Sequence, residues 1–309
     1  MNRCSFFIKN HALFGSYPSQ KSMNELEANG VRYIVDLTVK HERNIVPYTT
    51  TLPVIKYPIR DMHVPRKIDS FARLVLKICR IIRGLKNDEK IYIHCKGGHG
   101  RSGIVVAAVL CHLYGMTPPE ALRLTSYCHG MRKEMRSKWR AIGSPQTQEQ
   151  KYFVSRFFEP LNYYKAYSTG NKAGLSNYSR HPVETRLGGF PTAVAAYEAE
   201  KCPTDLRYVN LQKNADSPIA SKYYGRVVRP RRDWMDVRVG IMYDIVLRKF
   251  SQNKDARQNL LNTGLRPLIF RTDADSFWGD GVNGKGKNML GKIMNKVRAE
   301  LLEIGDKIF

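Results

Sequence analysis

Paired cysteines, long apolar runs and acidic residues are what this sequence has little of. The six cysteines, Cys4, Cys79, Cys95, Cys111, Cys128 and Cys202, lie far apart with no CxxC pair, which argues against a thiolate zinc site or a disulfide framework and suits a reducing interior. The apolar run at 104–110 is far short of the roughly 20 residues that a membrane-spanning helix needs. The opening MNRCSFFIKN does not have the profile of a signal peptide. The expectation is a cytoplasmic protein with no membrane partner. No repeat of roughly 20 to 50 residues is visible, which argues against a solenoid. Acid is outnumbered throughout: residues 1–160 carry 26 Lys and Arg against 12 Asp and Glu, and residues 161–309 carry 25 against 15, for a net charge of +24. Such a field draws polyanions, so nucleic acid is a candidate partner; a solubilising surface is the other explanation.

What is present is the profile of a folded globular protein, 42% hydrophobic and 25% charged, and 309 residues are enough for two domains. The first half alternates strands and helices, which argues for an α/β fold. A short helix at 19–28 is stopped by Gly30, and strands are expected at 31–36, 52–59 and 90–94. Between them Ile68, Phe71, Leu74, Val75, Ile78 and Ile82 recur on one helical face and read as core. An apolar helix is expected at 102–114, and Thr117, Pro118 and Glu120 announce another through a capping box. The segment 158–174 changes character, and we place the domain boundary there, giving domains at 1–158 and 159–309. Beyond it helices are expected at 234–250, 254–262 and 287–304, with few and short strands.

The first constellation runs through His94, Cys95, Lys96, Gly97, Gly98, His99, Gly100, Arg101, Ser102 and Gly103. A cysteine closes an apolar strand, a Gly-rich turn follows, and an arginine six residues on opens a helix. Glycines let successive N–H groups turn inward as an anion nest, and the helix adds its positive end. Residues 96–101 are therefore expected to cradle a phosphate, with Lys96 and His99 as rim charges rather than catalytic groups. The same field favours the Cys95 thiolate as nucleophile. Arg101 offers a planar fork to two phosphoryl oxygens.

The pattern resembles the Cys-x5-Arg signature of the protein tyrosine and dual-specificity phosphatases over roughly residues 12–157. The resemblance implies a mixed sheet flanked by helices, His94 ordering the loop and Ser102 assisting departure of the thiolate. It also implies a general acid from an upstream loop. Tyr57, Pro58 and the residues through Pro65 resemble that loop and assign Asp61; Asp36 is the competitor, with a role in a turn or cap. Gln146 or Gln150 resembles the glutamine that positions the hydrolytic water, and a helix start capped by Thr147 explains the same segment. The basic run at 131–140 reads as a solvated helix face, unless it borders the pocket, in which case it favours nucleotide or RNA 5′-phosphates over a phosphopeptide.

The second constellation is a Gly-rich loop at 276–291 leading into a helix, with Trp278 and Asp280 at its front: a stacking surface, a carboxylate and backbone donors suited to phosphate. It resembles the NADAR family, domains associated with ADP-ribose that include N-glycosidases of riboflavin-pathway intermediates and enzymes that remove ADP-ribose from nucleobases. Tyr167, Ser176, Asn177, Pro191, Thr192, Ser217, Pro218, Arg232, Asp233 and Lys249 agree in order. The resemblance covers about residues 164–302 and implies a mostly helical fold, with Asn177, Trp278, Gly279, Gly281 and Asn288 binding the ligand. It also implies two carboxylates acting on a glycosidic bond. Asp280 matches one. Val194 stands where the other, a glutamate, is usual, and Ala195 replaces a histidine. Glu198 lies one helical turn on, on the same face, and is the substitute candidate.

These readings together imply a cysteine-dependent phosphatase joined to a domain that binds or cleaves an ADP-ribose-like group. The phosphorylated substrate is open between a phosphoprotein, an RNA 5′ end and a phosphorylated ADP-ribose. The alternatives are a basic RNA-binding protein with 5′-phosphatase activity and a protein phosphatase targeted by a binding-only second domain. Neither chemistry calls for a cofactor or a metal, and none is expected.

Overall fold

The computed structural model of the protein describes residues 2–164 and 174–305, arranged as two compact units, Met1–Glu159 and Pro160–Phe309. The stretch beginning at Tyr167, one of the segments resembling the NADAR family, lies outside the described residues.

In the first unit, β1 (Cys4–Ile8) and β2 (Ala12–Gly15) form a hairpin whose turn places Asn10 at φ 66°. Helix α1 (Gln20–Ala28) follows, capped by the Ser19 side chain, and then β3 (Val31–Asp36) and β4 (Val54–Lys56). Helix α2 (Ile68–Gly84) leads to the central strand β5 (Lys90–His94) and to α3 (Arg101–Tyr114). Helices α4 (Pro118–Gly130), α5 (Ser137–Ile142) and α6 (Gln148–Phe158) complete the unit. The sheet order is β1-β2-β5-β3-β4, parallel except for the β1–β2 pair, so it is a mixed sheet.

Strand β5 is buried on both faces, as expected of a parallel strand under helices. On one face Tyr92 lies in register with Leu13 and Ile34, and Met23 and Leu26 of α1 close over them. Helix α3, apolar all round, packs on β2 and β5 and is flanked by α2, α4 and α6. The α2 stripe packs inward, and Phe71 meets Phe153 and Phe157 of α6 edge to face. The capping box at Thr117 and Glu120 is formed. Because strands β2, β3 and β5 run parallel, their C-terminal ends at Gly15, Asp36 and His94 share one edge, where ligands of open α/β sheets bind.

The second unit is mainly helical, with α7 (Ala193–Ala199), α8 (Leu206–Lys213), α9 (Pro218–Val227), α10 (Trp234–Gln252), α11 (Lys254–Leu261) and α12 (Met289–Gly305). Its strands are short: β6 (Leu161–Tyr164) pairs in parallel with β9 (Leu268–Arg271), whereas β7 (Val183–Thr185) and β8 (Gly188–Phe190) pair antiparallel. The segment read as a boundary therefore holds a strand, because Leu161 and Tyr163 alternate into the core. Helix α12 begins two residues later than its periodicity suggests. Lys287 N donates to Ser276 O, and Asn288 sits at φ 48°, so both belong to the loop.

Candidate functional site

Strand β5 delivers His94 and Cys95 to the sheet edge, and loop 95–100 turns directly into α3. Neighbours outside the loop hold its carbonyls. Tyr17 N donates to Lys96 O at 2.9 Å, the buried Arg132 Nη2 to Gly98 O at 2.9 Å, and Ser144 Oγ to His99 O at 2.6 Å. That arrangement leaves the amide N–H groups to the concave side, where an anion sits. Gly98 N already points at Cys95 Sγ, 3.2 Å away. Gly98 has φ +73°, and a Cβ there would lie 2.3 Å from the Gly15 carbonyl carbon, so only glycine fits.

Arg101 is 1% exposed, and its fork is engaged. Nη1 and Nη2 each donate to a Glu42 carboxylate oxygen at 2.7 Å, and Nη1 also donates to Ile59 O at 3.0 Å. Nη2 lies 2.9 Å from Asp61 Oδ1. Burial alone would lower the guanidinium; the Glu42 hydrogen bonds and the charges of Cys95, Asp61 and Glu42 outweigh it and hold Arg101 above its ordinary value. Glu42 is driven the other way: burial raises it, Arg101 more than compensates, and it stays below the usual carboxylate range. Buried Arg101 Nε and Ser102 Oγ are without a hydrogen-bond partner. Asp61 is 60% exposed on a loop whose next residue, Met62, has φ 65°.

His94 is buried, and its Nε2 meets Tyr48 Oη at 2.8 Å, with Asp36 Oδ1 3.8 Å from Nδ1. Burial, opposed by the Asp36 charge, pulls His94 down to about 4, so it is neutral at pH 7. Asp36 also accepts from Thr38 N and Oγ1, the turn role weighed for it. Gln150 accepts from Gln146 N and Thr147 N while its own N bonds Thr147 Oγ1, completing a capping box. Its Nε2 reaches His63 O at 3.3 Å, and its side chain fills the space beside Gly100, linking α6 to both the Asp61 loop and the cysteine loop.

Only the later part of the basic run is the solvated helix face expected of it, since α5 begins at Ser137 and buries none of its residues. Residues 131–136 are not helical, because Arg132 is drawn inside to bond the Gly98 and Phe14 carbonyls. The run borders a cleft of about 1290 Å³, which Arg132, Arg136 and Trp139 line together with Lys96, Gly97 and His99 of the cysteine loop. His99 is not a rim charge. Its ring stacks on Trp139 at 4.8 Å, its Nδ1 meets His129 Nε2 at 2.8 Å, and burial followed by the Arg132 charge brings it down to about 4.

In the second unit the two candidate carboxylates have separate cation partners. Glu198, wholly buried on α7, lies 2.6 Å from Lys201 Nζ and 3.0 Å from Lys222 Nζ. Room for it comes from Gly225 of α9, where a Cβ would lie 1.8 Å from Oε2. Asp280 accepts from Arg271 Nη1 and from Thr272 N at 3.1 Å. Asn288 spends its amide on β9, accepting from Phe270 N and donating to Leu268 O, both at 2.9 Å. Gly279 fits where a Cβ would meet Thr272 and Phe270, and Gly281 has φ +66°. These contacts build the loop. The Trp278 ring stands edge-on to Tyr197 at 5.7 Å, and Trp234 packs on the same tyrosine in the core.

Sequence reasoning missed two groups. Glu42 carries no local signal, since it meets Arg101 only through the fold. Lys249, matched in the motif yet given no role, is fully buried on α10 and donates to Ser176 O at 2.6 Å; burial pulls its amine down to about 7. It lies under the loop of Asn177, whose backbone oxygen accepts from Val194 N and whose Oδ1 is buried without a hydrogen-bond partner.

Residues 11–114 match the family model of the DSP-PTPase phosphatase of polymorphic toxin systems, and residues 157–302 match the NADAR domain model. Tyrosine phosphatase-like protein 197R of Invertebrate iridescent virus 6 is 32% identical over 289 residues, covering 93% of this chain and 87% of that protein. The N-glycosidase YbiA of Escherichia coli K12 is 33% identical over 138 residues, 44% of this chain and 86% of that protein. The NMR structure of the E. coli protein YbiA matches at 28% identity and a TM-score of 0.42, covering 47% of this chain and 86% of that one. Among the described residues no helix is long and apolar enough to cross a membrane.

Proposed function

The chain belongs to the tyrosine phosphatase-like family through its N-terminal unit and to the NADAR family through its C-terminal unit, and on that premise we propose a phosphomonoesterase that works through a phosphocysteine. Cys95 Sγ attacks phosphorus, the ester P–O bond breaks, and Asp61 gives its proton to the departing oxygen. Water then attacks the phosphocysteine, the S–P bond breaks, Asp61 takes the water proton, and inorganic phosphate leaves. The free Ser102 hydroxyl donates to the departing thiolate. Lys96, Gly97, Gly98, His99 and Gly100 offer backbone donors to the phosphoryl oxygens, and Arg101 at the start of α3 adds its positive charge. His94, fixed by Tyr48, orders the loop.

The observation that carries this reading is the approach of Asp61 to within 2.9 Å of Arg101 at the mouth of the cysteine loop. A general acid must be near the phosphate and yet in solvent reach of a leaving group. The test is phosphate release from an aryl phosphate, with a quench for phosphorylated protein. Wild type turns over, Asp61→Ala slows by roughly 10² to 10⁴, and Cys95→Ser forms no phosphoenzyme. Undiminished turnover by Cys95→Ser ends the proposal.

For the second unit, taken with domain limits at 1–158 and 159–309, we propose an ADP-ribose-like ligand held by Asn177 and the Trp278 loop. Binding is the reading favoured by the paired state of Glu198 and Asp280. Cleavage of an N-glycoside is the second reading, supported by the likeness to YbiA. Calorimetry of full-length Cys95→Ser with ADP-ribose decides the first, where absence of heat overturns it; release of ADP-ribose from a modified nucleobase decides the second.

A further inference from the structure

The cleft beside the cysteine loop is larger than a phosphate or a phenyl ring requires. At about 1290 Å³ it exceeds the usual small-ligand pocket of roughly 300 to 1,000 Å³. It opens at the edge where Lys96 and Gly97 face the end of β2, and the Tyr17 backbone ties its near side to the cysteine loop through Lys96 O. Arg3, Lys96, Arg132 and Arg136 line it against Glu25 and Glu134. Of those acids, Glu134 is held by Asn2 and Arg3. The cleft is thus net cationic.

Its aromatic part is fixed. Trp139 stacks on His99 with an interplanar angle of 17°, and His99 is bonded to the buried His129. Both imidazoles are neutral at pH 7, and Lys138 Nζ lies 5.3 Å from the Trp139 ring centroid, so the stack is fastened to the phosphate loop itself and carries a cation beside it. A flat surface for a ring, cations beyond the phosphate seat, and space for more than one residue of ligand occur together. A peptide backbone carries no charge of its own to meet the extra cations. Single-stranded polynucleotides use both the stack and the cations, through base stacking and backbone charge.

We propose that this cleft is a polynucleotide subsite: the protein takes the 5′-phosphorylated end of a single strand, with the terminal phosphate on the Cys95 loop. The next phosphate lies at Lys96 and Arg136, and the first base lies against Trp139. Water and the 5′ end then give inorganic phosphate and an end one phosphate shorter. The assignment rests on the phosphocysteine reading.

The experiment measures kcat/KM of the full chain on a 5′-triphosphorylated RNA oligonucleotide, the same DNA sequence, a phosphotyrosine peptide and an aryl phosphate, for wild type, Arg136→Glu and Trp139→Leu. The ratio of oligonucleotide to aryl phosphate is expected to drop roughly tenfold or more in each variant, and the oligonucleotide KM to rise with salt while the aryl phosphate KM does not. Preference for RNA or for DNA identifies the strand. A ratio equal to wild type in Arg136→Glu, an exposed position that does not threaten folding, overturns the subsite, as does preference for the peptide. Retention of all four activities by Cys95→Ser instead overturns the phosphocysteine reading. Fluorescence anisotropy of labelled oligonucleotide on Cys95→Ser, with and without Arg136→Glu, reads the subsite independently of turnover; equal affinities reject it.

Discussion

The Arg101 fork shows how much a phosphate seat depends on a residue behind it, here Glu42. Its charge is buried, and Glu42 supplies two hydrogen bonds that hold the fork in one plane. Removing one partner of such a pair leaves a buried charge without compensation. Glu42→Ala is therefore expected to cost roughly 2 to 4 kcal/mol of stability and to lower kcat on an aryl phosphate by about tenfold or more. Glu42→Gln, which keeps one acceptor, falls between it and wild type. Melting curves and steady-state kinetics check both, and a Glu42→Ala that melts and turns over like wild type refutes the positioning role. At this scale the candidate set Cys95, Arg101 and Ser102 was legible because it sits in one short run of sequence that turns from β5 into α3. Glu42 was not, because its partner is 59 positions away and the only cue was an ordinary charged triplet at 41–43.

At the scale of elements, the cysteine loop is a keystone between β2, β5, α3 and the α4–α5 connection. Gly98 packs onto the Gly15 backbone at a positive φ, so Gly98→Ala is expected to displace the loop and abolish turnover even if the unit still folds. Circular dichroism beside kinetics separates the two outcomes. The buried imidazoles of His94, His99 and His129 add a pH dependence. They titrate at about 4, 4 and 3 in the folded unit, and unfolding returns them to about 6.5. Between those values the unfolded chain binds more protons, so stability falls as pH drops from about 6.5 toward 4. Above pH 7 these groups contribute no slope. Denaturant melts at pH 7, 6 and 5 measure it, and His129→Leu should flatten it. Helices and strands with a strong apolar period were legible in advance. The non-helical course of 131–136 was not, because charge pattern suggested solvent and only the fold reveals the carbonyls that draw Arg132 inward.

The same logic separates α7 and α9 from a catalytic pair. Glu198 sits against Gly225 with Lys201 and Lys222 beside it. Glu198→Gln is expected to lower the melting temperature of the second unit while leaving ADP-ribose affinity within about threefold, since the cluster holds the helices together. A loss of binding with unchanged melting would make Glu198 part of the ligand site instead.

Across the whole molecule the net charge of +24 is divided between both units, so each unit carries basic residues of its own beside those of the cleft. Each phosphate neutralised steepens the fall of affinity with salt by roughly 0.7 in log–log slope for a single strand. A trinucleotide reports the cleft alone, and a strand of about 20 nucleotides reports every basic surface it can reach. The long strand is expected to show the steeper slope on Cys95→Ser, and Arg136→Glu to reduce the slope for both lengths by about the same amount, close to one phosphate. Equal slopes for the two lengths would confine the contact to the cleft and make the remaining charge a matter of solubility. That separation was beyond the sequence: it gives the size of the charge, whereas the two explanations differ in where the charge lies relative to a phosphate seat.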